Sequence, residues 1–386
     1  MAQSSIPCSI YRGGTSRGLF FNKLHLPEDE VLQKKIFMSG IDSYNPSQID
    51  GLGSGTSHSS KVCVISQSNL EGIDVEYTFI QVGISEEIID SKGTCGNLMA
   101  AVGAFAVDEG MVGAKPTDRE VLINVFNTNI QKVLQLTIPL ENGKAKATGN
   151  YHMPGLVKPG AKFTINILSP GGGTTGSTLP LGMKTRIKVK NTPFEVSFVD
   201  IVNPFVIISA ESLGIKGTEL NKELAPNEEL LDLLDSIRCE MAVMSGIAKD
   251  VNQAKYEMPS VPKIAIVTEP QDYCTSSGSI IKKDNIDIIA KMVSMGKFHR
   301  TFAGSGLYNL AATTLLPGTI ANQLATKKDS TQNQVIRIGH PEGVAKVNVS
   351  LNDKGNDVAF VSLDRTARRI MKGELYYPLQ DYSLAD

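Results

Sequence analysis

The sequence predicts an α+β protein built mainly from antiparallel sheets, and three observations carry that reading. Short apolar, β-branched runs recur along the 386 residues, most of them bounded by Gly, Pro, Asn or Asp, as strands separated by turns are. Helical patterns are few and do not alternate one for one with the strands, as a βαβ fold would require. A Gly-containing turn entering a small, apolar helix occurs twice, about 210 positions apart.

In chain order, strand-like runs fall at 6–11, 19–22, 61–66, 74–82, 120–127, 133–138, 163–167 and 185–188. A second series follows at 194–199, 206–210, 263–268, 335–338, 346–351 and 358–362. Helical spacing predicts 28–39, 96–109, 227–243, 285–295 and 306–315. The helices at 96–109 and 306–315 are apolar all round, so both are expected inside, each surrounded by strands. The length suits two or three domains, and the Gly/Pro-rich stretch 170–182 is the natural boundary. The expected units are 1–182 and 183–363, with the closing segment 364–386 returning to the first unit through a strand at 375–378.

Composition excludes several classes. Hydrophobic residues make up 41% and charged residues 20%, which fits a foldable globular chain and not a disordered one. Forty acidic residues against 38 basic ones leave a formal charge of -2, with no cationic excess for a phosphate backbone or an anionic leaflet. Neither nucleic acid nor a membrane is therefore expected as a partner. The longest apolar stretch, 98–107, is far short of a spanning helix, and the first residues lack the pattern of a secretory signal. Five Cys without a CxxC pair point to a reducing, cytoplasmic setting. The five His are scattered without metal-ligand spacing. The glycine run 171–176 has Ser177 where a P-loop needs Lys. No metal and no cofactor is expected.

The chemistry-bearing residues gather at turns. Cys95 stands where a loop enters a helix, and unpaired N–H groups and the helix dipole there favour a thiolate. It is either an acid–base thiol or a small residue filling space beside Gly93 and Gly96. The N–H groups of Gly96 and Asn97, with the Asn97 amide, could hold a carboxylate. Alternation from Lys61 puts Lys61, Cys63 and Ile65 on one strand face, so Lys61 is either desolvated and usable as a base or snorkelling to water. The run Gly14-Thr15-Ser16-Arg17-Gly18 matches a nucleophile elbow in letters, but a strand follows it instead of a helix. It reads as a nest of anion donors or as an ordinary hairpin. Asn203, before Pro204, is a turn residue whose amide could face a cleft. Arg300 could clamp a carboxylate or pair on the surface. Arg365, Arg368 and Arg369 read as a solvated basic cluster.

Taken together these motifs carry a resemblance. Tyr11-Arg12-Gly13-Gly14-Thr15-Ser16-Arg17-Gly18, Ser60-Lys61, Lys92-Gly93-Thr94-Cys95-Gly96-Asn97 and Val202-Asn203-Pro204 come first. Thr301-Phe302-Ala303-Gly304-Ser305-Gly306 and Arg365-Thr366-Ala367-Arg368-Arg369-Ile370-Met371 follow. In content and order the chain resembles, over nearly its whole length, the 2-methylaconitate cis-trans isomerases, 3-methylitaconate Δ-isomerases and aconitate isomerases. This cofactor-free group is related to diaminopimelate epimerase. The resemblance implies a diaminopimelate-epimerase-like fold, two similar domains each wrapped around a central helix, with the active site between them. It implies Lys61 and Cys95 as the acid–base pair. Gly14, Thr15, Ser16, Arg17, Ser60, Gly96, Asn97, Asn203, Arg300, Gly304, Ser305 and Gly306 are then expected to bind substrate. Gly304-Ser305-Gly306 stands where the epimerases carry a second Cys. The expected partner is a small tricarboxylate, with self-association into a homo-oligomer left open. The expected reaction interconverts cis- and trans-aconitate by allylic proton transfer; 2-methylaconitate, 3-methylitaconate and 4-oxalomesaconate are the alternative substrates. A carboxylate-binding protein without turnover is the alternative of a different class.

Overall fold

The computed structural model describes residues 3–326 and 333–378. The first series of elements is β1 (Gln3–Gly13), β2 (Ser16–Asn22), α1 (Glu30–Ile41), β3 (Lys61–Gln67), β4 (Val75–Val82), α2 (Met99–Asp108), β5 (Glu120–Asn127), β6 (Lys132–Glu141) and β7 (Phe163–Leu168). After β8 (Thr185–Val189) come β9 (Thr192–Ile201), β10 (Asn203–Ser209), α3 (Glu228–Met244), β11 (Lys263–Thr268), β12 (Ile288–Ser294), α4 (Gly304–Leu315), β13 (Gln334–His340), β14 (Gly343–Leu351) and β15 (Val358–Arg365). The last is β16 (Ala367–Pro378).

The strand pairing repeats. β1 and β2 are antiparallel, β2 and β3 parallel, β3 and β4 antiparallel, and β4 and β5 parallel; β5–β6 and β6–β7 are antiparallel. β9 to β15 follow the same sequence of directions, step for step. The helix occupies the same slot in each series, between β4 and β5 as α2 and between β12 and β13 as α4. β15 pairs with β7 as well as with β14, and β16 pairs along the whole of β1. The end of the chain thus ties the second series to both edges of the first.

Burial explains why these helices are so apolar. Nine of the ten residues of α2 and all twelve of α4 are buried, because strands surround each of them. Small residues let the strands approach: a Cβ on Gly103 of α2 would meet the side chain of Ile138. The amphipathic α1 and α3 cover outer sheet faces instead, with Ile36, Phe37 and Ile41 of α1 turned inward.

Two expectations need correction. The segment 285–295 is not a helix but contains β12, all seven residues of which are buried. A strand covered on both faces loses its alternation and reads like a buried helix. The strand expected at 375–378 is the end of β16, whose outer positions are largely exposed and so carry little apolar signal. No helix among the described residues is long and apolar enough to cross a membrane.

Candidate active site

The repeat brings α2 and α4 together head to head. A Cβ on Gly96 would lie 2.6 Å from the Ser305 nitrogen, and one on Gly304 would lie 2.8 Å from the Asn97 nitrogen. The two turns therefore touch backbone to backbone, which requires glycine in both. Neither N-terminus has a side-chain cap, so no side chain competes with an anion for the positive end of either helix dipole.

Below this junction lies a cavity of ≈ 20 Å³ lined by Ser16, Lys61, Cys95, Gly96, Asn97, Lys263, Gly304 and Ser305, among others. Lys61 and Cys95 thus share one cavity. Lys61 is 9% exposed, its ammonium donates to Gln81 Oε1 at 2.8 Å, and it sits 4.9 Å from the centre of the Phe79 ring. The Gln81 amide donates in turn to the Ser60 carbonyl at 2.7 Å, which fixes its oxygen toward the lysine. Ser60 itself is spent on Gln48 and Thr56 and does not line the cavity. Cys95 is 7% exposed, with its Sγ 3.8 Å from Ser16 Oγ.

Ser16 and His299 also line an outer chamber of ≈ 240 Å³, with Arg12, Thr15, Arg17, His58, Arg300 and Thr301. Neither chamber is lined by an Asp or a Glu. The concentration of positive charge is felt by the histidines. Burial, with His58 and Lys61 nearby, pushes His299 down to about 3, and His58 is lowered by burial and by Lys61, Arg300 and Arg17. Both imidazoles are neutral near pH 7. Arg17 donates to the carbonyls of Leu52 and Gly53. Arg300 stands at the exposed rim, 3.4 Å from Glu342.

Other sequence-singled residues build the frame. Gly14 has φ +52 and a Cβ there would meet the Asn97 amide 2.5 Å away. Asn97 donates to Thr15 Oγ1 at 3.0 Å and accepts from Arg365 Nε at 3.0 Å. Asn203 is fully buried, pairs with both the N–H and the carbonyl of Thr94 at 2.7 Å, and donates to Ser305 Oγ at 3.1 Å. It locks the turn of one series to the helix of the other and does not line the inner cavity. Gly306 lies within α4 against Phe302 and Phe205.

Sequence reasoning missed Lys263, Gln81 and the two histidines, and misread Arg365. Instead of joining a solvated cluster, Arg365 is 5% exposed, because β15 runs inward to the helix junction before the chain turns out along β16. A pairing of the two halves position by position would have found Lys263, which opens β11 as Lys61 opens β3. The His residues give no such signal.

The enclosed, cation-rich site lies where the two like halves meet, and comparison with known proteins gives its class. A hydroxyproline epimerase from Agrobacterium vitis shares the fold, with TM-score 0.57 and 11% identity over 98% of this chain and 94% of that one. The diaminopimelate-epimerase-like α+β fold is thus present. Residues 3–378 match the family model described as PrpF protein, and the chain belongs to that family of isomerases. It is 36% identical to 3-methylitaconate isomerase of Eubacterium barkeri over 97% of each chain. It is 30% identical to 2-methyl-aconitate isomerase of Shewanella oneidensis over 97% of this chain and 98% of the relative. A crystal structure of methylitaconate-delta-isomerase superposes with TM-score 0.78 at 34% identity, covering 100% of both chains.

Proposed function

We propose that the chain is a cofactor-independent isomerase of unsaturated di- and tricarboxylates of the methylitaconate or methylaconitate type, with Lys61 and Cys95 as its acid–base pair. One observation carries the reading. Two adjoining chambers that share Ser16 and His299 present Arg12, Arg17, Lys61, Lys263 and Arg300 with two uncapped helix N-termini, and no carboxylate lines either. Such a site selects a small polyanion. The relatives' names give the substrate type, and the sequence motifs at Lys61 and Cys95 give the acid–base assignment.

The chemistry follows from the substrate. A CH2 between a C=C bond and a carboxylate loses a proton when the resulting charge spreads over the allylic system and onto carboxylate oxygens. Lys61 and Cys95 flank the place where that proton leaves. The N–H groups of Gly96, Asn97, Gly304 and Ser305 stabilise the carboxylate as it takes up charge, in a site closed to bulk water. Returning a proton to the same carbon after bond rotation gives cis-trans isomerisation, whereas returning it to the other terminus moves the double bond. In this account the units 1–182, joined by 364–386, and 183–363 each contribute one helix terminus and one lysine.

An ultraviolet assay over cis- and trans-aconitate, 2-methylaconitate, 3-methylitaconate and 4-oxalomesaconate tests this. Turnover of at least one acid is expected, falling about 10²–10⁴-fold in Lys61→Ala and in Cys95→Ser. Full rates in both variants, or binding without turnover of any acid, would refute it.

A further inference from the structure

We propose that His58 is a proton-coupled ligand for a substrate carboxylate, neutral in the free protein and protonated when a polycarboxylate fills the outer chamber. This rests on the function proposed above and assigns part of its substrate recognition. The first argument is space. At ≈ 20 Å³ the inner cavity holds about one water, so most of a bound acid, with at least one of its carboxylates, lies in the outer chamber of ≈ 240 Å³. His58 lines that chamber and also a wider cleft of ≈ 460 Å³ beside it. Its ring therefore stands where the two spaces meet, with His299 and Arg300.

The second argument is which groups remain free. Arg12 donates to the carbonyls of Gly14 and Thr366, Arg17 to those of Leu52 and Gly53, and Arg300 pairs with Glu342. The protein itself thus holds each guanidinium of the chamber before any acid arrives. His58 is held on one side. Its carbonyl accepts from the Arg17 N–H at 2.9 Å, its Nε2 lies 3.3 Å from Thr56 Oγ1, and its Nδ1 has no partner among the described residues. The Thr56 hydroxyl can donate to a bare Nε2 or, after turning, accept from a protonated one, so it suits both charge states.

The charges facing the ring explain the change of state. Lys61 of β3, Arg17 of β2 and Arg300 face it, with Arg12 in the same chamber and the neutral His299 ring 6.3 Å away. Across the cleft stand Glu86, Asp235, Lys255 and Lys297. Burial first, then Lys61, Arg300 and Arg17, lower His58 below its ordinary value, which keeps it uncharged near pH 7. A bound polycarboxylate reverses the sign of that field. An anion within about 4–6 Å raises the pKa of such a ring by about 1–3. The imidazole then takes one proton from solvent, and its Nδ1–H donates to a carboxylate oxygen. That proton returns to water when the acid leaves.

The test is titration calorimetry with propane-1,2,3-tricarboxylate, which has no double bond to shift. It is run at pH 7, where this acid is almost fully ionised, in buffers of different ionisation enthalpy, and the slope of heat against that enthalpy counts protons. The unaltered protein should take up about 0.4–1 proton per acid bound, a count that needs no variant to fold. Lys263, lowered by burial to about 8, is charged at pH 7 and adds little to it. In His58→Gln, whose amide donates to a carboxylate but does not titrate, uptake should fall to about a quarter or less. Proton NMR gives a second readout. The imidazole Cε1–H signal that this variant lacks should titrate at least about one pH unit higher once the unaltered protein is saturated with the acid. Binding without proton uptake, equal uptake in His58→Gln, or an unmoved titration would overturn the assignment and leave the isomerase reading intact. A protein that neither binds this acid nor turns over any acid of the panel would overturn that reading itself.

Discussion

The five cysteines differ in what surrounds them, and that difference is measurable. Burial pushes Cys8 up to about 12 and raises Cys63 and Cys239 as well, so these three remain thiols and react slowly. The sequence alone ranks Cys95 first for alkylation, but Cys274 is the exposed one, and in the unaltered protein it competes. In a Cys274→Ser background, iodoacetamide should label Cys95 ahead of Cys8, Cys63 and Cys239, since its thiol lines the inner cavity. A bound polycarboxylate should protect it. Peptide mass mapping that finds Cys63 labelled first would contradict this. The motifs around Lys61 and Cys95 singled these two residues out, and the fold brings both to one cavity. Arg365 was not legible, because three arginines in five residues look the same whether one turns inward or all face water. Asn203 was legible as a turn residue, but its bonds to Thr94 and Ser305, 109 and 102 positions away, are set by the fold and not by its neighbours in sequence.

At the scale of elements, the apposed termini of α2 and α4 make a sharp prediction. In Gly304→Ala the added methyl meets the Asn97 nitrogen and the Gly96 carbonyl carbon at 2.8 Å, both backbone atoms that cannot rotate away. Overpacking there should cost about 1–3 kcal/mol and separate the helix heads. A displacement near 1 Å at a reacting centre costs about 100-fold in rate. The variant should therefore melt slightly earlier, keep its circular dichroism, and lose about two decades of kcat. Unchanged kcat would show that the two termini do not act together. The helices were readable from the sequence because small apolar residues leave no polar face. The boundaries of α1, α2, α3 and α4 fall near those expected. β12 was lost to a helix reading because burial on both faces erased the period of two, and Lys291 in its middle added a helix-like charge. β16 was mostly lost for the opposite reason, being too exposed to show a pattern.

For the whole molecule, the repeated pairing order is held shut by the end of the chain. β16 runs antiparallel to β1 from Gln3 opposite Pro378 to Gly13 opposite Ala367, and Leu375 packs over Gly40 of α1. Ending the chain after Thr366 strips β1 of this partner and opens the apolar layer beneath it. The expected loss exceeds about 5 kcal/mol, comparable with the entire stability of a typical domain. Such a chain should be recovered mostly insoluble, and a soluble product melting at the normal temperature would refute the argument. The internal repeat was visible in the sequence through the two glycine turns, each of which enters a buried helix. The return of the closing segment to the first half was expected as well, but not that it runs along the whole of β1 from Ala367 to Pro378, since the exposed positions of β16 hide its length.

That closure sets the timetable of biosynthesis. The ribosome makes β1 first and its neighbour β16 last, so the amino-terminal half waits with an open sheet edge until nearly every residue has been polymerised. Contacts spanning this much sequence form slowly, and a waiting edge invites strands from other nascent chains. Slow elongation or scarce chaperones should therefore lower the yield of active protein more than they would for a chain whose sheet closes locally.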